Sequence, residues 1–284
     1  MKCPRTLLFN LLKKKFSKAL ENGDCSLTHQ GCETSLYAGK VCPDTMKRLE
    51  SDEQTRQDVS RGIVQDVSIL FADIRNFTAR TAEMPPERIV QLLDLFIPEM
   101  LHIIKKNRGM ADKLLGDGVM ARFGHPYRTG QETLQALYAA IDMQQAAFAM
   151  GDVLRHMDYE PISIGVGINT GEALICTVGD ESYREVTVIG APVNIASKME
   201  DEARADEIVL TEQAMEYVLA DRPEMREFFA GKSDLKHGQT AYSFEWAEYL
   251  REGKAADRPL WSLKLDGEML NEQQSAVMQD ALAY

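Results

Sequence analysis

The chain reads as an α+β protein: a ferredoxin-like antiparallel sheet with helices packed on one face, preceded by an N-terminal helical extension. Three observations predict this. From Val67 onward, short apolar runs alternate with longer stretches that are apolar at helical spacing. Their order, strand-helix-strand-strand-helix-strand, is that of the ferredoxin-like split unit. The chain before about residue 60 has a different character, with no alternation of this kind.

In that first stretch Leu7, Leu8, Leu11, Leu12, Phe16 and Leu20 recur at helical spacing, with Lys13, Lys14, Lys15 and Lys18 around them. A basic amphipathic helix over residues 5–20 suits a membrane surface. Packing on its own protein or across a dimer is the commoner use, and we prefer it. Asn22 to Pro43, rich in Gly, Ser, Thr and Cys, reads as a loop, and the polar run Asp44 to Arg61 as a lead-in helix. Residues 1–60 therefore form an extension, 61–250 the main domain and 251–284 a tail, partly disordered to judge from its weak periodicity.

The main domain opens with a strand ending at Asp73. A helix starts at Pro86, a residue suited to a first turn. It runs to Asn107 with Ile89, Leu92, Leu93, Phe96, Met100 and Ile103 inward and a bend at Pro98. Gly116-Asp117-Gly118 makes a hairpin whose second strand is Val119 to Phe123. Gln131 to Met157 is a long Ala- and Met-rich helix. Ile162 to Ile168 and Ala173 to Val178 are expected to pair through a turn at Asn169-Thr170-Gly171. Tyr183 to Ile189 is a strand, Pro192 to Arg204 a helix and Ile208 to Thr211 a strand.

The 284 residues, 44% hydrophobic and 27% charged, describe an ordinary soluble globular protein. A net charge of −12 disfavours nucleic acid as a partner, because a phosphate backbone needs a basic surface. A small nucleotide is not disfavoured, since its charge is met locally. No stretch reaches the roughly 18 apolar residues of a membrane span, no secretory signal is evident, and a cytoplasmic location is expected. Of five cysteines, Cys3, Cys25, Cys32 and Cys42 cluster early. Their spacing matches no zinc pattern, and an odd count argues against a disulfide framework. Cys176 is read as a small buried residue.

Chemistry concentrates at two carboxylates. Phe71-Ala72-Asp73-Ile74-Arg75-Asn76-Phe77-Thr78 delivers Asp73 at the end of an apolar strand, and Leu115-Gly116-Asp117-Gly118 delivers Asp117 on a Gly-flanked turn. Two aspartates on rigid strand ends can share a pair of divalent ions, which is how proteins handle a triphosphate. Backbone N–H groups at Phe77 and Thr78 can hold phosphate oxygens. Each aspartate alone also has an ordinary reading as turn chemistry.

A third block, Thr187-Val188-Ile189-Gly190-Ala191-Pro192-Val193-Asn194-Ile195-Ala196-Ser197-Lys198-Met199-Glu200, weighs against the ordinary reading. With F-A-D-I-x-x-F-T, K-x-x-G-D and G-I-N-T-G it makes four motifs in one order. Through them the chain resembles the class III nucleotidyl cyclases, most of all bacterial adenylate cyclases, from about Val67 to Val218 and more weakly to Phe244. No G-G-[DE]-E-F signature of the diguanylate cyclases is present.

The resemblance implies a lyase of cyclic AMP synthesis and intracellular signalling, working as a homodimer on ATP with two Mg²⁺ or Mn²⁺ ions per site. Asp73, Asp117 and the Ile74 carbonyl would hold the metals in one subunit, and the other would supply the remaining groups. Among these, Lys113 donates to adenine N1, and the Thr187 hydroxyl accepts from the 6-amino group. Asn194 orients the ribose. Lys198 stands where relatives usually carry the arginine that stabilises the transition state, and lysine lacks its planar fork. Either activity is reduced or a point charge suffices. Gly165 stands where some relatives have a phosphate-binding arginine, and Lys236, or else Lys232, falls near the terminal phosphates. Two alternatives stay open: a catalytically weak regulatory module, motivated by Lys198, and a cyclase for another nucleotide such as GTP.

Overall fold

A computed structural model describes residues 61–126, 128–179, 184–232 and 240–253, with a small hairpin of Lys264–Leu265 and Glu268–Met269. Residues 1–60, with the expected basic helix and four cysteines, Tyr183, Lys236 and most of the tail lie outside the described residues.

The strands are β1 (Ile63–Ile74), β2 (Met110–Leu115), β3 (Gly118–Phe123), β4 (Ile164–Gly179), β5 (Arg184–Ile189), β6 (Glu207–Thr211), β7 (Phe229–Lys232) and β8 (Ala241–Phe244). The helices are α1 (Phe77–Thr81), α2 (Pro86–Lys106), α3 (Glu132–His156), α4 (Ala191–Glu202), α5 (Glu212–Asp221) and α6 (Trp246–Arg251). The sheet runs β2-β3-β1-β4-β6-β8-β7, with β5 added to the far end of β4. It is the expected sheet with one parallel pair, β4 with β6. Parallel neighbours need a crossover, and α4 provides it.

Side chains alternate across the sheet. Leu70, Ala72 and Ile74 of β1, Val119, Ala121 and Phe123 of β3, and Ile164, Val166 and Ile168 of β4 face α2, α3 and α5 in the main core. α3 is buried around almost its whole first half, which is why its Ala-rich sequence shows little amphipathicity. On the other face Val67, Ile69, Met120, Ala173, Ile175, Val186 and Val188 enclose Ala196 of α4. α4 approaches closely because Gly167 and Gly171 carry no side chain on this face of β4. A Cβ at Gly167 would collide with the backbone of Glu200, and one at Gly171 would stand 3.0 Å from Pro192.

The expected turn at Asn169-Thr170-Gly171 does not form. β4 runs through it as one strand, paired with β1 without interruption from Ile74↔Ile164 to Ile63↔Ile175. The polar residues that look like a turn are used inside the fold. Thr170 shares hydrogen bonds of 2.8 and 2.9 Å with Ser68 and Thr133. Asn169 donates to the Pro192 carbonyl and accepts from Thr211, tying β4 to α4 and β6. Among the described residues the other expected elements form, with β1 reaching back to Ile63 and α2 continuing through Pro98. Cys176 is half-buried on the β4–β5 arm rather than buried.

Candidate active site

Asp73 ends the outward row of β1, on the face that carries α4. The β2–β3 turn brings Asp117 to it. Gly116, at φ 72, takes the first central position of a two-residue turn, where L side chains are disfavoured. Gly118 then lies so close that a Cβ would stand 3.0 Å from the Asp73 carboxylate. The two carboxyl groups lie within hydrogen-bonding reach of each other, and the Ile74 amide lies within reach of Asp117. Burial, then the neighbouring Asp73, push the Asp117 carboxyl up to about 7, against the pull of the backbone amides of Asp117 and Ile74. Asp117 Oδ2 is buried with no hydrogen-bond partner. Two like charges in contact and an orphaned buried oxygen suit a cation, so the residues fit the divalent ions that the sequence implies. No group of three or more His, Cys, Asp or Glu side chains stands together among the described residues.

Arg75 stands beside this pair. Its guanidinium lies 3.6 Å from Asp73, ion-pairs with Glu200 of α4, and donates to the carbonyls of Glu200 (3.3 Å) and Ala203 (3.1 Å). It occupies the space over Gly165, where a Cβ would stand 2.7 Å from the arginine Cζ. The space over Gly165 is thus filled by an arginine that follows the adjacent strand β1, turned toward the C-terminal carbonyls of α4.

A second cluster forms where β2 meets β5. The Lys113 ammonium contacts Thr187 Oγ1, Asp112 Oδ2 (2.9 Å) and Glu185 Oε1 (2.8 Å). Successive strand residues normally face opposite sides, yet Asp112 and Lys113 meet because the β2–β3 register slips by one between Ala111 and Lys113. Asp112 is anchored in turn by Arg122, and both are essentially buried. The Thr187 hydroxyl lies 3.5 Å from Asp112 Oδ2, as a donor, so its oxygen accepts from Lys113 and keeps one further lone pair. Burial alone would lower the Lys113 pKa, but hydrogen bonds to Glu185 and Asp112 more than offset it and the pKa is raised.

The structure therefore brings Asp73 to Asp117 and Lys113 to Thr187. Among the described residues no hydrogen bond or ion pair joins the two clusters. Asn194 and Lys198 lie one turn apart on α4, away from its inward Pro192, Ala196 and Met199. Phe77 and Thr78 begin α1 after Asn76, which is in the left-handed region. Lys232 is held by Glu207 at 2.7 Å, and Lys236 lies outside the described residues.

Sequence reasoning missed Arg75, Asp112, Arg122, Glu185 and Glu200. Arg122 carried a signal: a lone charge in Gly118-Val119-Met120-Ala121-Arg122-Phe123 requires a partner. Glu185 carried another, since it shares a strand face with Thr187 two residues on. The bulge that pairs Asp112 with Lys113 left no mark.

Residues 59–244 match the family model described as adenylate and guanylate cyclase catalytic domain. The chain is similar to an adenylate cyclase of Anabaena cylindrica, 36% identical over 148 residues that make up 50% of this chain and 28% of that protein. It is also similar to the terminal-differentiation specific adenylate cyclase of Dictyostelium discoideum, 32% identical over 158 residues, 55% of this chain and 7% of that one. The alignments thus span under a third of these relatives' lengths. Among solved structures, the adenylyl cyclase CyaB from P. aeruginosa superimposes with a TM-score of 0.58 at 26% identity, covering 64% of this chain and 95% of that one.

Proposed function

The chain belongs to the family of adenylate and guanylate cyclase catalytic domains, and we propose that within it this protein converts ATP to 3′,5′-cyclic AMP and pyrophosphate. The observation that supports ATP is the contact of Lys113 with Thr187. An ammonium beside a hydroxyl whose hydrogen is directed to Asp112 sets a donor group next to an acceptor, the order of adenine N1 and the 6-amino group.

In the reaction the ribose 3′-oxygen bonds to the α-phosphorus while the bond to pyrophosphate breaks in line. Asp73 and Asp117, with the Ile74 carbonyl, would hold two Mg²⁺ or Mn²⁺ ions. The chemistry such ions supply is neutralisation of phosphate charge and acidification of the attacking hydroxyl. Amides at the start of α1, Phe77 and Thr78, have no acceptor within the helix, and would receive phosphate oxygens. Asn194 would orient the ribose. Lys198 would offset the negative charge that grows on the α-phosphoryl oxygens, and Lys236 would meet the terminal phosphates.

A homodimer completes the site in this reading. Asn194 and Lys198 project from α4 away from its packed face, and the metal pair and the base cluster are separate within one chain. Mixing inactive Asp73→Ala with inactive Asn194→Ala restores activity if one intact site forms from the two undamaged halves. No recovery despite subunit exchange would place the whole site in one chain.

Turnover of the four ribonucleoside triphosphates by purified protein with Mg²⁺ or Mn²⁺, with products identified by mass, tests the substrate. Faster conversion of GTP would reverse it. Lys198 motivates a second reading, a catalytically weak regulatory module, for which all four would be inert unless Lys198→Arg restored activity.

A further inference from the structure

An ammonium has three donors, and all three of Lys113 are engaged without any nucleotide present: by Asp112, by Thr187 and by Glu185. To donate to a purine nitrogen the lysine must release one acceptor. The three differ in what release would cost. Asp112 has no exposed side-chain surface and is gripped by the buried Arg122, so moving it would strand a buried charge. Thr187 is β-branched, 8% exposed and held within β5, where its partner is Cys176 of β4. Glu185 is 23% exposed and sits near the start of β5, opposite the exposed Val178. Its side chain is the longest and the most exposed of the three.

We infer that Glu185 is a latch on the purine-reading lysine, a carboxylate that holds Lys113 in the free protein and that the incoming base displaces. The inference rests on the reading of Lys113 as the base-contacting residue. It makes Glu185 a specificity-determining residue, because only a ring with an acceptor facing Lys113 replaces what the ammonium loses. A base with N–H at that position offers the ammonium nothing in exchange and leaves the latch closed.

The test measures binding of ATP, GTP and inorganic tripolyphosphate, with the same divalent ion throughout, together with KM and kcat for ATP. It uses wild type, Glu185→Gln, Glu185→Asp, Lys113→Ala and the double variant Lys113→Ala/Glu185→Gln. A partly exposed ion pair of this kind is worth about two- to fivefold in affinity. Glu185→Gln is expected to tighten ATP by about that factor, to move KM more than kcat, and to leave tripolyphosphate unchanged. Glu185→Asp, too short to reach Lys113, is expected to do the same, and the gain should vanish in the Lys113→Ala background. Unchanged or weaker ATP binding in Glu185→Gln overturns the latch while leaving the base site standing, provided Lys113→Ala weakens ATP. Equal tightening of tripolyphosphate overturns it in favour of a general charge effect. If Lys113→Ala alters neither ATP binding nor the preference over GTP, the base-site reading itself fails and the latch with it.

Discussion

The two charged clusters of the site are opposites. At Asp73 and Asp117 two like charges touch, one oxygen is buried without a partner, and the Asp117 pKa is raised to about 7. At Lys113 the charges alternate in sign from Arg122 through Asp112 and Lys113 to Glu185, and every donor of the ammonium is engaged. The first cluster is electrostatically incomplete by itself. The second is complete and must be opened. An incomplete site recruits a cation strongly and responds to pH. A self-satisfied one binds its ligand only by exchange, which costs affinity but favours a ligand able to restore what it displaces.

The largest effect should come from removing the incomplete cluster. Asp73→Ala or Asp117→Ala is expected to abolish cyclisation while leaving the fold, because neither side chain fills a core and the loss relieves a repulsion. Metal-free thermal stability should rise or stay level in Asp117→Asn. A variant that unfolds, or one that keeps near wild-type turnover with metal supplied, would break the contrast drawn here.

Next in size is Lys198, which belongs to neither cluster. As a group acting when charge develops on the phosphoryl oxygens, it should matter more to turnover than to affinity. Losing one such donor typically costs about 10²–10³ in rate. Lys198→Ala should therefore fall by that range in kcat with little change in KM, and Lys198→Arg should keep or raise activity. Equal turnover in wild type and Lys198→Ala would leave this lysine an ordinary helix residue.

The two clusters were also unequally legible. Asp73 and Asp117 are announced by local sequence, a strand end and a Gly-flanked turn, so the structure brings together what short motifs already mark. Lys113 and Thr187 were found through motif spacing, but their surroundings were not. The slip that turns Asp112 beside Lys113 is a register property of two paired strands, and no single stretch of chain encodes it. Asn169-Thr170-Gly171 misled for the opposite reason: its composition is that of a turn, while its hydroxyl and amide groups are spent on buried bonds to Thr133, Pro192 and Thr211. The course of α4 was legible in retrospect, since glycines at 167 and 171 share one face of a strand and leave room for a helix.

The smallest effect, and the finest test of the contrast, is pH dependence. An unfolded Asp titrates near 3.9, whereas Asp117 in the fold titrates at about 7. Between these values the folded protein holds a proton that the unfolded chain has lost. Stability of the metal-free protein should therefore fall as pH rises from about 4 to about 7 and level off above it. A divalent ion needs the ionised carboxylate, so its affinity should move the other way, weakening by up to about tenfold per pH unit below about 7 as the proton competes. Thermal melts with a chelator and with Mn²⁺, at pH 5, 6, 7 and 8, separate the two trends: the chelated curve should decline with pH while the increment from Mn²⁺ grows. Asp117→Asn should flatten both. The Lys113 ammonium, whose pKa is raised above its ordinary value, stays charged across this range and should contribute no slope. A metal-free curve that rises between pH 5 and 7 would mean that the carboxylates are already neutralised by the protein, and the two clusters would then be alike.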